Sequence, residues 1–363
     1  MFSVLELTSC TTMLTYILVI ALCVSDVISD GLHKCPDGCY CDKRFVDCSA
    51  LMEFPTYLPE DTTRFRSTLM NVQQIPPKAF SYLKHIETIE LTQGNIGTVD
   101  SCAFTDLPSV KRIIFEKAVI GNVEMYAFTD LKNLVELKFV NSKIGRLKPF
   151  GFYGLDNITT FSVVSTPIRF FYTHGFSNVS NITNFMFNQN NISDMVTNAF
   201  VNVKNIAYSE ILENTFWNMH CGNLATLSSM GTETHFTQNA FHCNCSINYI
   251  LNVNGRSTYS AILPTNKCNG PGVLEDKQSL WHVTYDDLGC SNRDQSKNVI
   301  CPDVKLTPDQ KCDVIPSTPR TPGSAVPVYP EPEEHDEPRG DASTCRAFTG
   351  LLSIAVALSY LLL

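Results

Sequence analysis

Six phenylalanines, Phe80, Phe104, Phe128, Phe152, Phe176 and Phe200, stand 24 residues apart, and Leu224 takes the next slot. Each is followed three residues later by an aliphatic side chain: Leu83, Leu107, Leu131, Leu155, Val179, Val203 or Leu227. Ahead of each phenylalanine a strand-like alternation keeps the same phase, in Ile86, Ile89 and Leu91, then Val110, Ile113 and Phe115, Leu134, Leu137 and Phe139, Ile158, Phe161 and Val163, and Ile182, Phe185 and Phe187. A strict long period of this kind constrains the fold more than any other feature of the chain. One such unit cannot bury its own apolar ridge, so the units must stack and share a continuous core.

The period and its strand pattern resemble the leucine-rich repeat. The resemblance implies a curved solenoid with parallel β-strands on the concave face and an irregular or short helical convex side. About seven repeats fill residues 62–238. The family places an asparagine after each strand to hydrogen-bond the neighbouring turn. Here Met70, Gly94, Ala118, Ser142 and Thr166 occupy that slot before Asn190 and Asn214 restore it, so the N-terminal coils are expected to be less regular.

Fifteen cysteines are too many for a reducing compartment unless they bind metal, and no C-x-x-C or H-x-x-x-H spacing offers a metal site. Residues 35–61 resemble the N-terminal cysteine cap of extracellular leucine-rich repeat proteins, with C-x3-C-x-C-x6-C at Cys35, Cys39, Cys41 and Cys48. Residues 239–290 resemble the C-terminal cap, with Ala240 where that cap usually has proline and Tyr249 where tryptophan is common. The resemblance implies disulfides Cys35–Cys41, Cys39–Cys48, Cys243–Cys268 and Cys245–Cys290. Of the remaining cysteines, Cys102 and Cys221 lie five coils apart, about 24 Å at about 4.8 Å per coil, beyond the ~7 Å reach of a disulfide. Cys301 is expected to bond Cys312, or one of them to reach back to Cys221, with Cys102 left as a buried thiol or an intermolecular link.

The two ends carry processing signals. Residues 13–24 are apolar and precede small and acidic residues near Ser25 and Ser29, which reads as a signal peptide over 1–29. Glu6 stands where a basic residue is usual, and an anchoring or buried N-terminal helix is the alternative. Residues 291–340 become proline-rich, as in an extended stalk. Gly340, Asp341, Ala342 and Ser343, a short spacer and the apolar run 351–363 then follow the order of a glycosylphosphatidylinositol (GPI) attachment signal over 341–363, with Gly340 or Asp341 as the attachment residue. A transmembrane helix is the competing reading, although no basic flank follows the run. Removing Cys10, Cys23 and Cys345 with these segments leaves twelve cysteines, an even number.

The order of cap, repeats, cap, stalk and anchor is similar to that of the Nogo receptor family and of the lamprey variable lymphocyte receptors. That resemblance implies a GPI-anchored surface protein in the outer leaflet of the plasma membrane, binding extracellular or cell-surface proteins as an adhesion molecule or co-receptor, with homophilic association among its options. A non-catalytic accessory subunit of a secreted or matrix assembly is the second reading. The net charge of −9 leaves no basic surplus for nucleic acid. No G-x-S-x-G, P-loop or G-x-G-x-x-G motif appears, so neither an enzyme nor a cofactor is expected. The acidic stretches at 285–287 and 331–338 read as a cap turn and a solvated stalk, not metal sites. Sequons at Asn157, Asn178, Asn181 and Asn191 mark N-glycosylation sites, and Asn244 is formally a fifth.

Strand neighbours alternate faces, so the residues flanking each pair of core positions line the concave sheet. These include Arg112, Ile114 and Glu116, then Glu136, Lys138 and Val140, Ser162 and Val164, Met186, and Tyr208 and Leu212. Ile114, Val140, Val164, Met186 and Leu212 form a discontinuous apolar track there, the candidate ligand-binding surface. Asn157 and Asn181 share a phase, so their sugars are expected to stack along one flank and leave this face bare.

Overall fold

The computed structural model describes residues 35–251, 253–270, 279–284, 286–288, 306 and 312. The chain divides into two units, residues 1–320 and 321–363, and every described residue belongs to the first. The expected signal peptide, the GPI signal with Gly340 or Asp341, nearly all of the stalk, and the cysteines Cys290 and Cys301 lie outside the described residues.

Successive repeats pair as parallel strands in one continuous sheet: Arg64–Ile75, Thr88–Val99, Arg112–Val123, Glu136–Val140, Asp156–Val164, Ser180–Asn188, Lys204–Leu212 and Gly231–Thr237. These eight strands make about eight turns of a leucine-rich repeat solenoid, one more than the repeat count read from the phenylalanines. The register follows the period, as Thr88 pairs with Arg112, Arg112 with Glu136, Glu136 with Thr160, Thr160 with Asn184 and Asn184 with Tyr208. In strands such as Glu136–Val140 and the first part of Thr88–Val99 buried and half-buried residues alternate, so that Ile89 and Leu91, or Leu137 and Phe139, face the core.

Where the concave stretch of each coil ends, inside the long strands of the first coils and just past the shorter strands of the later ones, one residue takes a left-handed conformation and turns the chain into a second wall. Gln93, Lys117, Asn141, Ser165, Gln189 and Glu213 all have φ between 49° and 61°. Gly94 follows with φ +113°, and a Cβ there would lie 2.0 Å from the Met70 carbonyl oxygen, so only glycine fits. The second wall contains strands Lys143–Leu147, Ile168–Phe171, Asn191–Met195 and Thr215–Met219. The far side is made of two-residue strands such as Phe128–Thr129 and Phe152–Tyr153, with one short helix, Asn223–Leu227, in a late coil.

The periodic phenylalanines form the spine of the core. Neighbouring ring centroids from Phe80 to Phe200 lie 5.6, 4.7, 5.0, 4.7 and 4.9 Å apart, all stacked. Each such pair contributes about 0.5–1.5 kcal/mol beyond the burial of its area. Phe115 and Phe139 stack at 4.7 Å in a parallel column under the concave sheet.

The asparagine slot holds a buried ladder. Asn190, Asn214 and Asn239 each accept the backbone N–H of the slot residue one coil earlier, Thr166, Asn190 and Asn214, at 2.9 Å. Their Nδ2 atoms donate to the carbonyls of Val163, Phe187 and Ile211. Ser142 and Thr166 do the same work with hydroxyls, accepting from the N–H groups of Ala118 and Ser142. The first coils are not less regular, contrary to expectation. There Met70, Gly94 and Ala118 pair directly in register, and the strands run unbroken for 12 residues each. Continuous strand pairing satisfies the backbone without a side-chain bridge.

Both ends are covered. Cys39–Asp42 and Phe45–Ser49 form an antiparallel hairpin whose second strand extends the main sheet, held by disulfides Cys35–Cys41 and Cys39–Cys48. At the other end Cys243 is bonded to Cys268, and Cys245 is disulfide-bonded while its expected partner lies outside the described residues. Tyr249 is buried and its hydroxyl donates to the Met219 carbonyl. Arg256 ties this cap together by donating to the carbonyls of Leu251, Trp281 and Val283.

One disulfide corrects the sequence reading. Cys312 is bonded to Cys102, not to Cys301, so Cys102 is neither a buried thiol nor an intermolecular link. The expectation considered only short loops and neighbouring coils, whereas the chain beyond the C-terminal cap returns to the second coil.

Candidate functional site: the concave sheet

The concave face has two halves of different chemistry. In the first, Arg112 Nε donates to Glu136 Oε2 across adjacent strands at 2.8 Å, and Lys138 reaches the other carboxylate oxygen from the same strand. Arg64 and Glu90 form the same kind of pair at 2.8 Å. Burial raises the affinity of the Glu136 carboxyl for its proton, but the hydrogen bonds from Lys138 and Arg112 outweigh it and hold the group below its ordinary range. Glu116 lies 3.7 Å from Lys117 at the exposed margin.

In the second half neutral donors surround one carboxylate. Tyr208 donates its hydroxyl to Glu210 at 3.1 Å, Asn188 Nδ2 donates to the other oxygen of Glu210 at 2.9 Å, and Asn188 Oδ1 accepts the Leu212 N–H. Desolvation, and then the Glu210 carboxylate, push the Tyr208 phenol upward.

Register converts the discontinuous apolar track into a connected one. Val140 and Val164 are direct cross-strand partners. Ile114 is opposite Lys138, two residues from Val140, while Met186 and Leu212 follow as diagonal neighbours of Val164 and of each other. All five are half-buried, and the track zigzags over five coils. Ser162 departs from expectation. It occupies the predicted register position between Lys138 and Met186 but is only 4% exposed, because its short side chain lies below theirs.

The sequon asparagines Asn157, Asn178, Asn181 and Asn191 are exposed, and Asn244 is half-buried. Asn157, Asn178 and Asn181 sit at left-handed turns with φ of 60°, 54° and 53°, a conformation asparagine tolerates well. Asn181 Nδ2 donates to Asp156, and Asn178 Oδ1 accepts from Asn202. Hydrogen bonds from Ser180 and Asn181 hold the Asp156 carboxyl below its usual value.

Among the described residues no three His, Cys, Asp or Glu side chains cluster as a metal site, and no helix is long and apolar enough to cross a membrane. Asp287 accepts from the backbone and hydroxyl of Thr284, as a cap turn requires. Sequence reasoning missed the second wall, where Arg146 and Arg169 lie over Phe170, Lys148 lies over Tyr172, and Trp217 is exposed. A second strand per repeat, read at the same period, was the available signal.

Parallel coils in strict register, a buried slot ladder and a disulfide-bonded N-terminal cap define a leucine-rich repeat solenoid. Residues 63–170 and 116–220 match the family described as BspA type leucine rich repeat region, in six copies. The chain is similar to "Leucine-rich repeat-containing protein 3" of Danio rerio, with 36% identity over 73 residues, 18% of this chain. It spans 27% of the length of that relative. Among solved structures it is similar to human 5T4 (Wnt-activated inhibitory factor 1, trophoblast glycoprotein), at 18% identity and a TM-score of 0.42, covering 71% of this chain and 100% of that one.

Proposed function

We propose that the chain is a non-enzymatic surface protein that binds extracellular protein ligands through its concave sheet, as an adhesion molecule or co-receptor held by a GPI anchor. The observation that carries the reading is the connected track Ile114–Val140–Val164–Met186–Leu212 on a rigid sheet, bordered by Arg112, Glu116, Glu136 and Lys138 on one side and Tyr208 on the other. An apolar track within a polar rim is the composition of a protein-binding surface. The four pairings Cys35–Cys41, Cys39–Cys48, Cys102–Cys312 and Cys243–Cys268 support an oxidising, extracellular setting. The order of residues 340–363 supports lipid attachment.

Two measurements test this. Phosphatidylinositol-specific phospholipase C should release the protein from intact cells, and recovery of residues 351–363 in the mature chain would refute the anchor. A soluble ectodomain screened against extracellular proteins should yield a partner that is lost with Val140→Asp while secretion persists. Retained binding would move the site off the concave face.

A further inference from the structure

We infer that the indole of Trp217 is the platform on which the first sugar of an N-linked glycan on Asn191 lies. The inference rests on the secretory reading above. It begins from register on the second wall. Asn191 opens the strand Asn191–Met195 and pairs with Thr215 of Thr215–Met219, so Ser193 and Trp217 stand opposite each other one step along. Asn191, Ser193 and Trp217 all point outward and are exposed, while Ile192 and Phe216 between them are buried.

The Trp217 indole N–H donates to Asn191 Oδ1 at 2.8 Å. An indole nitrogen can only donate, so this contact identifies the amide oxygen as the atom turned toward the ring. The remaining amide atom, Nδ2, is the one that carries an N-linked sugar. Among the described residues no hydrogen bond engages it. The same contact fixes the side-chain torsions of Asn191, so a sugar on Nδ2 starts beside the ring and not at the end of a free rotor.

Trp217 is 41% exposed, and it is backed from the following coil by His242, with ring centroids 5.1 Å apart. On the opposite side stands Ser193, too small to cover the indole. Ser193 is also the hydroxyl residue of the Asn191 sequon. N-acetylglucosamine has one face of C–H groups, which suits an aromatic ring that is apolar on its face and polar at its N–H edge. Asn181 differs in that its Nδ2 donates to Asp156, while Asn178, like Asn191, accepts through Oδ1, from the Asn202 amide and with no aromatic ring as donor.

The chain holds two tryptophans, Trp217 and Trp281, so Trp281→Phe makes Trp217 the sole indole fluorophore. The Trp281 side chain is exposed, which makes that change benign. The Trp281→Phe protein, secreted from a eukaryotic cell, is compared with Trp281→Phe/Ser193→Ala. The glycosylated form should emit further to the blue and be quenched by acrylamide about twofold less. Enzymatic removal of the sugar from the folded protein should reproduce the shift. Equal quenching with and without the sugar overturns the inference, as does a bare Asn191 in a protein glycosylated at Asn157, Asn178 or Asn181. A protein with no sugar at any sequon overturns the secretory reading as well, so the two failures are told apart by mass spectrometry.

Discussion

Cys102 and Cys312 share a disulfide although 210 residues separate them. Cys102 sits at a left-handed corner of the second coil, so the bond ties the chain beyond the C-terminal cap to the N-terminal part of the stack. Coils contact only their neighbours, and a solenoid can therefore fray from either end. A covalent link across the array removes that independence. Chain-entropy reasoning gives about 5 kcal/mol for a closed loop of this length, and natural disulfides usually contribute about 2–5 kcal/mol. The double variant Cys102→Ser/Cys312→Ser should melt about 10 °C lower, with faster amide exchange in Gly231–Thr237. An unchanged midpoint, or a peptide map joining Cys312 to another cysteine, would refute the link.

The slot ladder makes a graded prediction. Asn214 accepts the Asn190 N–H and donates to the Phe187 carbonyl, both buried. Asn214→Val leaves those two groups unpaired, each at about 1–3 kcal/mol. Asn214→Thr should cost about half as much, because Thr166 already bridges its neighbours with a hydroxyl that accepts from Ser142 N–H and donates to Phe139. Urea denaturation of the two variants decides it. Equal losses would mean that the slot is filled by shape and not by hydrogen bonding.

The solenoid was legible because Phe80 to Phe200 and the paired core positions repeat without a gap, and periodicity survives any error in a single residue. The N-terminal cap pairings followed from the resemblance of C-x3-C-x-C-x6-C to a known cysteine cap, and the structure holds both of them. Three things were not. Cys102–Cys312 joins residues from different levels of the array, and no local spacing encodes that. The regularity of the first coils was misjudged because backbone pairing at Met70, Gly94 and Ala118 replaces the missing asparagine, a substitution visible only in register. The burial of Ser162 depends on the length of Lys138 and Met186 beside it, which face alternation ignores.

Glu136 gives a pH-dependent prediction. Its proton affinity is lowered in the folded protein because Lys138 and Arg112 favour the charged form more than burial opposes it. A depressed carboxyl stabilises the fold above the ordinary value of 4.5 and loses that contribution as pH falls through the folded-state value. Glu136→Gln should therefore cost about 1 kcal/mol at neutral pH, and the gap from wild type should close in acid. Because Arg112 is half exposed, added salt should narrow it too. A gap that persists unchanged at low pH would assign the cost to packing.

The burial of Ser162 changes how the concave face is best tested, since a sugar placed at that position would disrupt the sheet. Asn184 is half-buried on the same face and is followed by Phe185 and Met186. Met186→Thr completes an N-x-T sequon on Asn184 and at the same time removes one member of the apolar track. Phe185 points into the core and is untouched, so the coil should still form. A glycan anchored there would stand beside Met186, whose register partners are Ser162 and Glu210 and whose diagonal neighbours on the track are Val164 and Leu212. If the track holds the ligand, the glycosylated Met186→Thr protein should be secreted normally and lose binding. The same variant made with Asn184→Gln, which cannot be glycosylated there, should recover a large part of it. That rescue separates steric blocking from loss of the methionine contact. Binding that survives an occupied Asn184 would place the site on the second wall, around Phe170 and its flanking arginines, Arg146 and Arg169.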